Sequence, residues 1–309
     1  MPTWWILCNR MASVPLVTRC LSWGVDLVLC LVAHARFWKE EDLALILSDR
    51  TERLLNLPGD LPFFVTKPAA AERVSALLQS LHPVACSKEL IRLGPDADGG
   101  YLVPNDLAGI EACFSPGVSD RAGFERDCAE RGMKVFMADA SVEGPPEIHP
   151  QFRFLKKFIG ASSHGDFVSL GEWLRSSLPE GRGDLLLQMD IEGYEYEALL
   201  SMPEDWQQRF RIMVVEFHFL DYLFSEPLFA IYSKVFEKLL CTHTCVHIHP
   251  NNVCTALKVG PLQIPQMAEF TFLRNDRVSN PVFARTFPHV LDRDNCGRPP
   301  LPLPKSCYR

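Results

Sequence analysis

LLLQMDIEGYE, residues 185–195, decides the fold. Three leucines followed by Gln188 and Met189 make an apolar run of strand length, which stops abruptly at Asp190, Glu192 and Glu195, with Gly193 allowing a tight exit. A parallel strand buried on both faces reads as such a run, and open α/β sheets hold their ligands at the carboxyl ends of the strands. Asp190 stands at the strand tip, where an acid side chain enters that crevice. Glu195 and Glu197 fall inside the following helix, where carboxylates complement the helix dipole, and they are read in that plainer way.

Working outward, short apolar runs alternate with helical patterns. Strands are predicted over 110–114, 134–138, 152–159, 185–189 and 212–217, and helices over 120–131, 169–178, 194–201 and 228–240. Ser169 and Glu172 stand at capping-box spacing. The final strands, 244–249 and 268–274, are joined without a convincing helix and are therefore read as antiparallel neighbours. The expected fold is α/β, a doubly wound seven-stranded sheet closed by an antiparallel last strand. Ahead of it, residues 92–103 (RLGPDADGGYLV) read as a turn and a short strand pair. N-terminal helices are predicted over 36–57 and 68–81. The domain expectation is a helical segment over 1–86, the α/β domain over 87–275 and a proline-rich, disordered tail over 276–309.

The turn after the first strand is FSPGVSDRAGFE, residues 114–125. Gly117 permits a tight turn, and Ser115 and Ser119 bring hydroxyls near a helix N-terminus. The plainer alternative is an ordinary turn with Ser119 as helix N-cap. The turn lacks the glycines of G-x-G-x-x-G, which argues against a pyrophosphate. Asp139 follows at the tip of the second strand, 22 residues after Gly117, where an acid can hold both hydroxyls of a ribose. A ribose acid beside a pyrophosphate-free turn points to S-adenosylmethionine rather than NAD.

In order, RLGPDADGGYLV, FSPGVSDRAGFE, VFMADAS, LLLQMDIEGYEYEALL and MVVEFHF resemble the FkbM-type methyltransferases, in the branch with a DGGY turn before the first strand. The resemblance spans residues 87–274 and implies a class I methyltransferase fold, S-adenosylmethionine as cofactor and oxygen methylation as the usual reaction. By position it assigns Ser115, Gly117 and Ser119 to the cofactor turn and Asp139 with Ala140 to the ribose acid. Asp190 and Glu192 match the acidic motif after the fourth strand, and Glu216 and His218 the tip of the fifth. Ser119 stands where many members carry Asn, and Asp139-Ala140-Ser141 where Asp/Glu-Pro is frequent. Asp98, Gly100 and Tyr101 belong either to a tight turn of the usual composition or to a cover over the methionine end of the cofactor.

His218, two residues past Glu216 and on the same strand face, is the candidate general base for an acceptor hydroxyl. The alternative is a histidine hydrogen-bonded at a strand end. Asp190 shares the catalytic role, with Glu192 and Glu216 in support. His247, His249, Asn251 and Asn252 are read as the wall of an acceptor pocket, in preference to a metal site. The site is expected to be metal-free.

Composition narrows the partners. A net charge of −7 over 309 residues excludes an electrostatic nucleic-acid binder. Eleven scattered cysteines without a C-x-x-C pair read as reduced, cytoplasmic usage. The apolar stretch at 4–32 is interrupted by Arg10, Arg19 and Asp26, so no integral membrane span is expected. The expected partner is a small-molecule acceptor with a hydroxyl, a sugar by resemblance. Two other readings stay open: a catalytically silent methyltransferase-like binding module, and a nucleotide-dependent oxidoreductase. The oligomeric state is undetermined by the sequence.

Overall fold

The computed structural model describes residues 28–30, 64–85 and 87–309. Seven strands form the main sheet: β1 (Ile110–Pro116), β2 (Lys134–Ala138), β3 (Phe152–Leu155), β4 (Asp184–Met189), β5 (Phe210–Phe217), β6 (His243–Pro250) and β7 (Ala268–Arg274). Their spatial order is β3-β2-β1-β4-β5-β7-β6. The first five pair in parallel, and β7 runs antiparallel between β5 and β6. This is the α/β sheet of a class I methyltransferase-like fold. The chain order reverses between β1 and β4, so their carboxyl ends flank the crevice where such sheets bind ligands.

The helices are α1 (Ala71–Ser80), α2 (Gly123–Glu130), α3 (Leu170–Ser177), α4 (Glu195–Ser201) and α5 (Glu226–Leu240). The apolar face predicted for α1, Val74, Leu77, Leu78 and Leu81, is buried, although the helix begins three residues beyond Pro68. At α3, Ser169 caps the helix through Glu172 N–H. The return arm of the capping box runs through Ser163, whose hydroxyl accepts from Ser169 N–H and donates to the Glu172 carboxylate.

Period-2 alternation buries both faces of the sheet. On one, Phe114 stacks on Phe136 at 4.9 Å and meets Trp173 of α3 edge-on at 5.1 Å. On the other, Cys113, Val135, Leu186 and Val214 pack with Phe124 of α2 and with Tyr101 and Val103. Fully burying an aromatic side chain contributes about 1.5–3 kcal/mol, so these rows hold the strand tips in place.

Two expectations change. The strand predicted over 152–159 divides, and its second part, Phe158–Gly160, pairs in parallel with Phe167–Ser169 outside the main sheet. The break falls at Lys156, which is exposed, and Lys157, which is half-buried. No helix connects β2 to β3. Residues 276–309 are ordered by specific contacts rather than forming a disordered tail: Val282–Phe283 pairs with Val84–Ala85, and Arg277 makes a two-pronged bond to Asp106.

The chain divides into two units, Met1–Val74 with Tyr222–Ala230, and Ser75–Asp221 with Ile231–Arg309. In the first, Val28–Cys30 pairs antiparallel with Phe64–Thr66, and Arg73 binds Glu226. The second contains the sheet. The expectations for 4–32 (Val28–Cys30 apart) and 36–57 lie outside the described residues. No helix among the described residues is long and apolar enough to cross a membrane.

Candidate active site

Gly117 follows β1 with φ +87°, and a Cβ built there would stand 1.6 Å from the Asp190 carbonyl oxygen. Asp190 N–H in turn donates to Pro116 O at 3.3 Å. The tips of β1 and β4 therefore touch backbone to backbone, and only glycine fits. Ser119 also has a left-handed φ, +51°, a conformation in which Asn is enriched. That accounts for the Asn common at this position in the resembling family.

Asp139 sits at the tip of β2, where its Oδ2 accepts from Ser119 N–H at 2.9 Å. Oδ1 accepts from both Ser141 N–H and Ser141 Oγ. The carboxylate is thus pinned between the two turns, and Oδ2 keeps one acceptor position. Ala140 links Asp139 to Ser141 within that loop. Ser115 departs from its predicted role, being fully buried beneath the turn. Its Oγ lies 2.5 Å from Glu125 Oε1 and 2.6 Å from Gln188 Oε1. A hydroxyl has one proton to give. Burial pushes the Glu125 carboxyl up to about 7, and a protonated Glu125 donating to Ser115, with Ser115 donating to Gln188, satisfies all three.

Beyond β4 the loop turns through Glu192 (φ +57°) and Gly193 (φ +102°). Glu195, at the start of α4, is fully buried. Its Oε1 accepts from Ile191 N–H at 3.0 Å and Gly193 N–H at 3.1 Å, and stands 3.1 Å from His218 Nδ1. The dipole-partner reading of Glu195 is therefore corrected: it clamps the acid loop and orients a histidine. Glu197 is exposed and accepts from Ala161 N–H.

His218 faces three carboxylates. Its Nε2 lies 3.9 Å from Asp190 Oδ1 and 3.5 Å from Glu192 Oε2. Burial alone would lower this imidazole, but the hydrogen bond and charge of Glu195, then Asp190 and Glu192, push it up to about 9. In these surroundings it holds its proton at neutral pH, so the general-base role predicted for His218 does not suit it as it stands. Asp190 keeps 28% of its side chain open. Its carboxyl is nonetheless driven well up, by burial first and then by Glu216, against the pull of His218.

Glu216 pairs in register with Glu269, which pairs with His249, giving a buried row across β5, β7 and β6. Burial, above all, pushes both carboxyls up. Tyr101 closes this side, its phenol driven well up by burial and then by Asp190 and Glu216. The DGGY turn is held by Arg92, which donates to Pro95 O and Ala97 O, and a Cβ on Gly100 would lie 2.0 Å from Pro95 O. Asp98 Oδ1 and Glu269 Oε1 both accept from Asn295 Nδ2.

The four residues predicted to wall an acceptor pocket are buried, and His247, Asn251 and Asn252 are bonded within the chain. His247 Nε2 meets Asp292 Oδ1 at 2.7 Å, and His249 Nδ1 lies 3.6 Å from Asp292 Oδ2. Asn252 Nδ2 donates to Cys296 O and Arg298 O, and Asn251 Nδ2 donates to Glu216. His247 and Asn252 anchor the C-terminal segment, and Asn251 braces Glu216.

The structure thus gathers Asp190, Glu192, Glu216, His218 and Tyr101 with the unpredicted Glu195, and sets Gly117, Ser119 and Asp139 beside Asp190. A cleft of about 530 Å³ lined by Phe136, Phe154 and Trp173 contains none of these residues.

Residues 178–238 match the Methyltransferase FkbM domain. The match runs from the end of α3 through β4, the acid loop and β5 into α5, and so contains Asp190, Glu192, Glu195, Glu216 and His218. The DGGY and Gly117 turns lie outside it. No curated protein matches the chain.

Proposed function

We propose, starting from an FkbM-type methyltransferase domain on this sheet, that the chain is an S-adenosylmethionine-dependent O-methyltransferase. Its acceptor is a small molecule with a free hydroxyl, a sugar by family likeness. The observation that carries the reading is the backbone contact of Gly117 with Asp190. It supports a single crevice between the β1 and β4 tips, and the matched family segment contributes the acid loop of that crevice.

The residues fit such a donor. Gly117 lets the β1 and β4 tips close on each other where any side chain would hold them apart, and Asp139 Oδ2 has an acceptor position for a ribose hydroxyl. Asp98, Gly100 and Tyr101 frame the methionine end. Asp190, Glu192 and Glu216 complement a ligand that carries positive charge. When bound, S-adenosylmethionine supplies a methyl carbon already activated by its sulfonium. The protein's task is then to align the acceptor oxygen and favour loss of its proton. We assign that task to Asp190 and to the protonated His218, which Glu195 fixes and whose positive charge favours the negative charge the acceptor oxygen gains. Scattered cysteines without a C-x-x-C pair suit a reducing, cytoplasmic setting.

Incubating the chain with methyl-labelled S-adenosylmethionine and pooled hydroxylated acceptors tests the reading. Release of S-adenosylhomocysteine, lost in Asp190→Asn, is the expected result. Donor binding without release from any acceptor would instead identify a silent binding module.

A further inference from the structure

We infer that Asp190, Glu192 and His218 form a binding site for one divalent cation of the Mn²⁺ or Zn²⁺ type. One ligand atom from each lies within 4.8 Å of the others. The distances from His218 Nε2, 3.9 Å to Asp190 and 3.5 Å to Glu192, lie near the ~3.4 Å that separates two ligands on a tetrahedral ion with bonds of about 2.1 Å.

The histidine is set up as a ligand. Glu195 Oε1 accepts from Nδ1–H at 3.1 Å, which leaves Nε2, once an ion displaces its proton, to face Asp190 and Glu192. A carboxylate behind a metal-binding imidazole orients the ring and raises its basicity. Among the described residues no hydrogen bond reaches Nε2, although His218 is only 8% exposed.

A separate side chain points to a ligand at the same place. Tyr101 is 4% exposed, and Asp190 and Glu216 are the charges that weigh most on its phenol. Its hydroxyl makes no hydrogen bond to another described residue. One nitrogen and two carboxylates favour Mn²⁺ or Zn²⁺ over Mg²⁺ or Ca²⁺. Three protein ligands leave a position open, and Glu192, 87% exposed, puts the site at the solvent side. His247 and His249, on β6, face Asp292 instead.

The test needs no methyl donor and stands apart from the proposed activity. The full chain, stripped with a chelator and dialysed, is titrated with MnCl₂ and separately with ZnCl₂ by calorimetry. One ion per chain is expected. His218→Ala and Asp190→Asn should each weaken binding at least about tenfold, and Glu195→Gln by about 10–100-fold. Glu192→Gln, at an exposed position that does not threaten folding, should weaken it too, whereas Asp292→Asn should not. No saturable binding of either ion, or wild-type affinity in Glu192→Gln and Asp190→Asn, would overturn the site.

Discussion

Glu195 and His218 meet at 3.1 Å, with the carboxylate oxygen that faces the imidazole also accepting the N–H groups of Ile191 and Gly193. One buried side chain therefore couples the shape of the acid loop after β4 to the orientation of the histidine after β5. Glu195→Ala removes the acceptor for two backbone donors and the partner of a buried imidazole. Breaking a buried pair of this kind costs about 3–5 kcal/mol. Glu195→Gln, which keeps an oxygen in place, should cost clearly less. Urea unfolding of the two variants decides it; equal costs would mean that the carboxylate does not hold the loop.

Gly117 and Gly132 share nearly the same left-handed φ, +87° and +86°, but not the same surroundings. A Cβ at Gly132 meets nothing within 4 Å, while one at Gly117 collides with Asp190 O. Gly132→Ala should cost only the conformational strain, about 1–2 kcal/mol. Gly117→Ala should cost more and also disturb the crevice. Similar unfolding midpoints for both would deny the tight contact between the β1 and β4 tips.

Much of this architecture is legible from residue order. Runs such as 185–189 and 212–217 have the length and bulk of strands buried on both faces, and a helix-free link between 249 and 268 makes antiparallel neighbours of the last two. Glu195 escaped because an acid in the first helical turn has the same pattern whether it faces water or a histidine 23 positions later. The segment 276–309 escaped for a related reason. Its proline-rich composition resembles disorder, yet Asp292 and Asn295 find partners at His247 and Glu269, which composition cannot report.

Glu125 gives the folded chain a defined pH response. Its ordinary value of 4.5 rises to about 7 on burial, so between these values the folded state binds more protons than the unfolded. Stability from this group is full below about pH 4.5 and declines as pH rises toward 7, by at most about 1.4 kcal/mol per unit. Glu125→Gln removes the titration while keeping a partner for Ser115. Urea unfolding at pH 5, 6 and 7 should show wild type losing stability relative to the variant. Parallel profiles would mean that Glu125 is ionised throughout.

Asp292 anchors the C-terminal segment, with His247 and His249 as partners. Despite burial, these histidines hold its carboxyl well below the usual carboxylate range, so its contribution is present at neutral pH and lost on acidification. Asp292→Ala should cost about 3–5 kcal/mol at pH 7 and open residues 289–298 to proteolysis. A variant as protease-resistant as wild type would show that the segment is held by other contacts.

Calorimetric titration of the full chain with S-adenosylhomocysteine tests the central claim most directly. The account predicts one molecule bound per chain, with affinity reduced at least about tenfold in Asp139→Ala, through loss of the hydrogen bond from a ribose hydroxyl to the carboxylate, while the variant stays folded. No binding to the wild-type chain, or binding that Asp139→Ala and Gly117→Ala leave unchanged, would contradict a cofactor site between the tips of β1, β2 and β4.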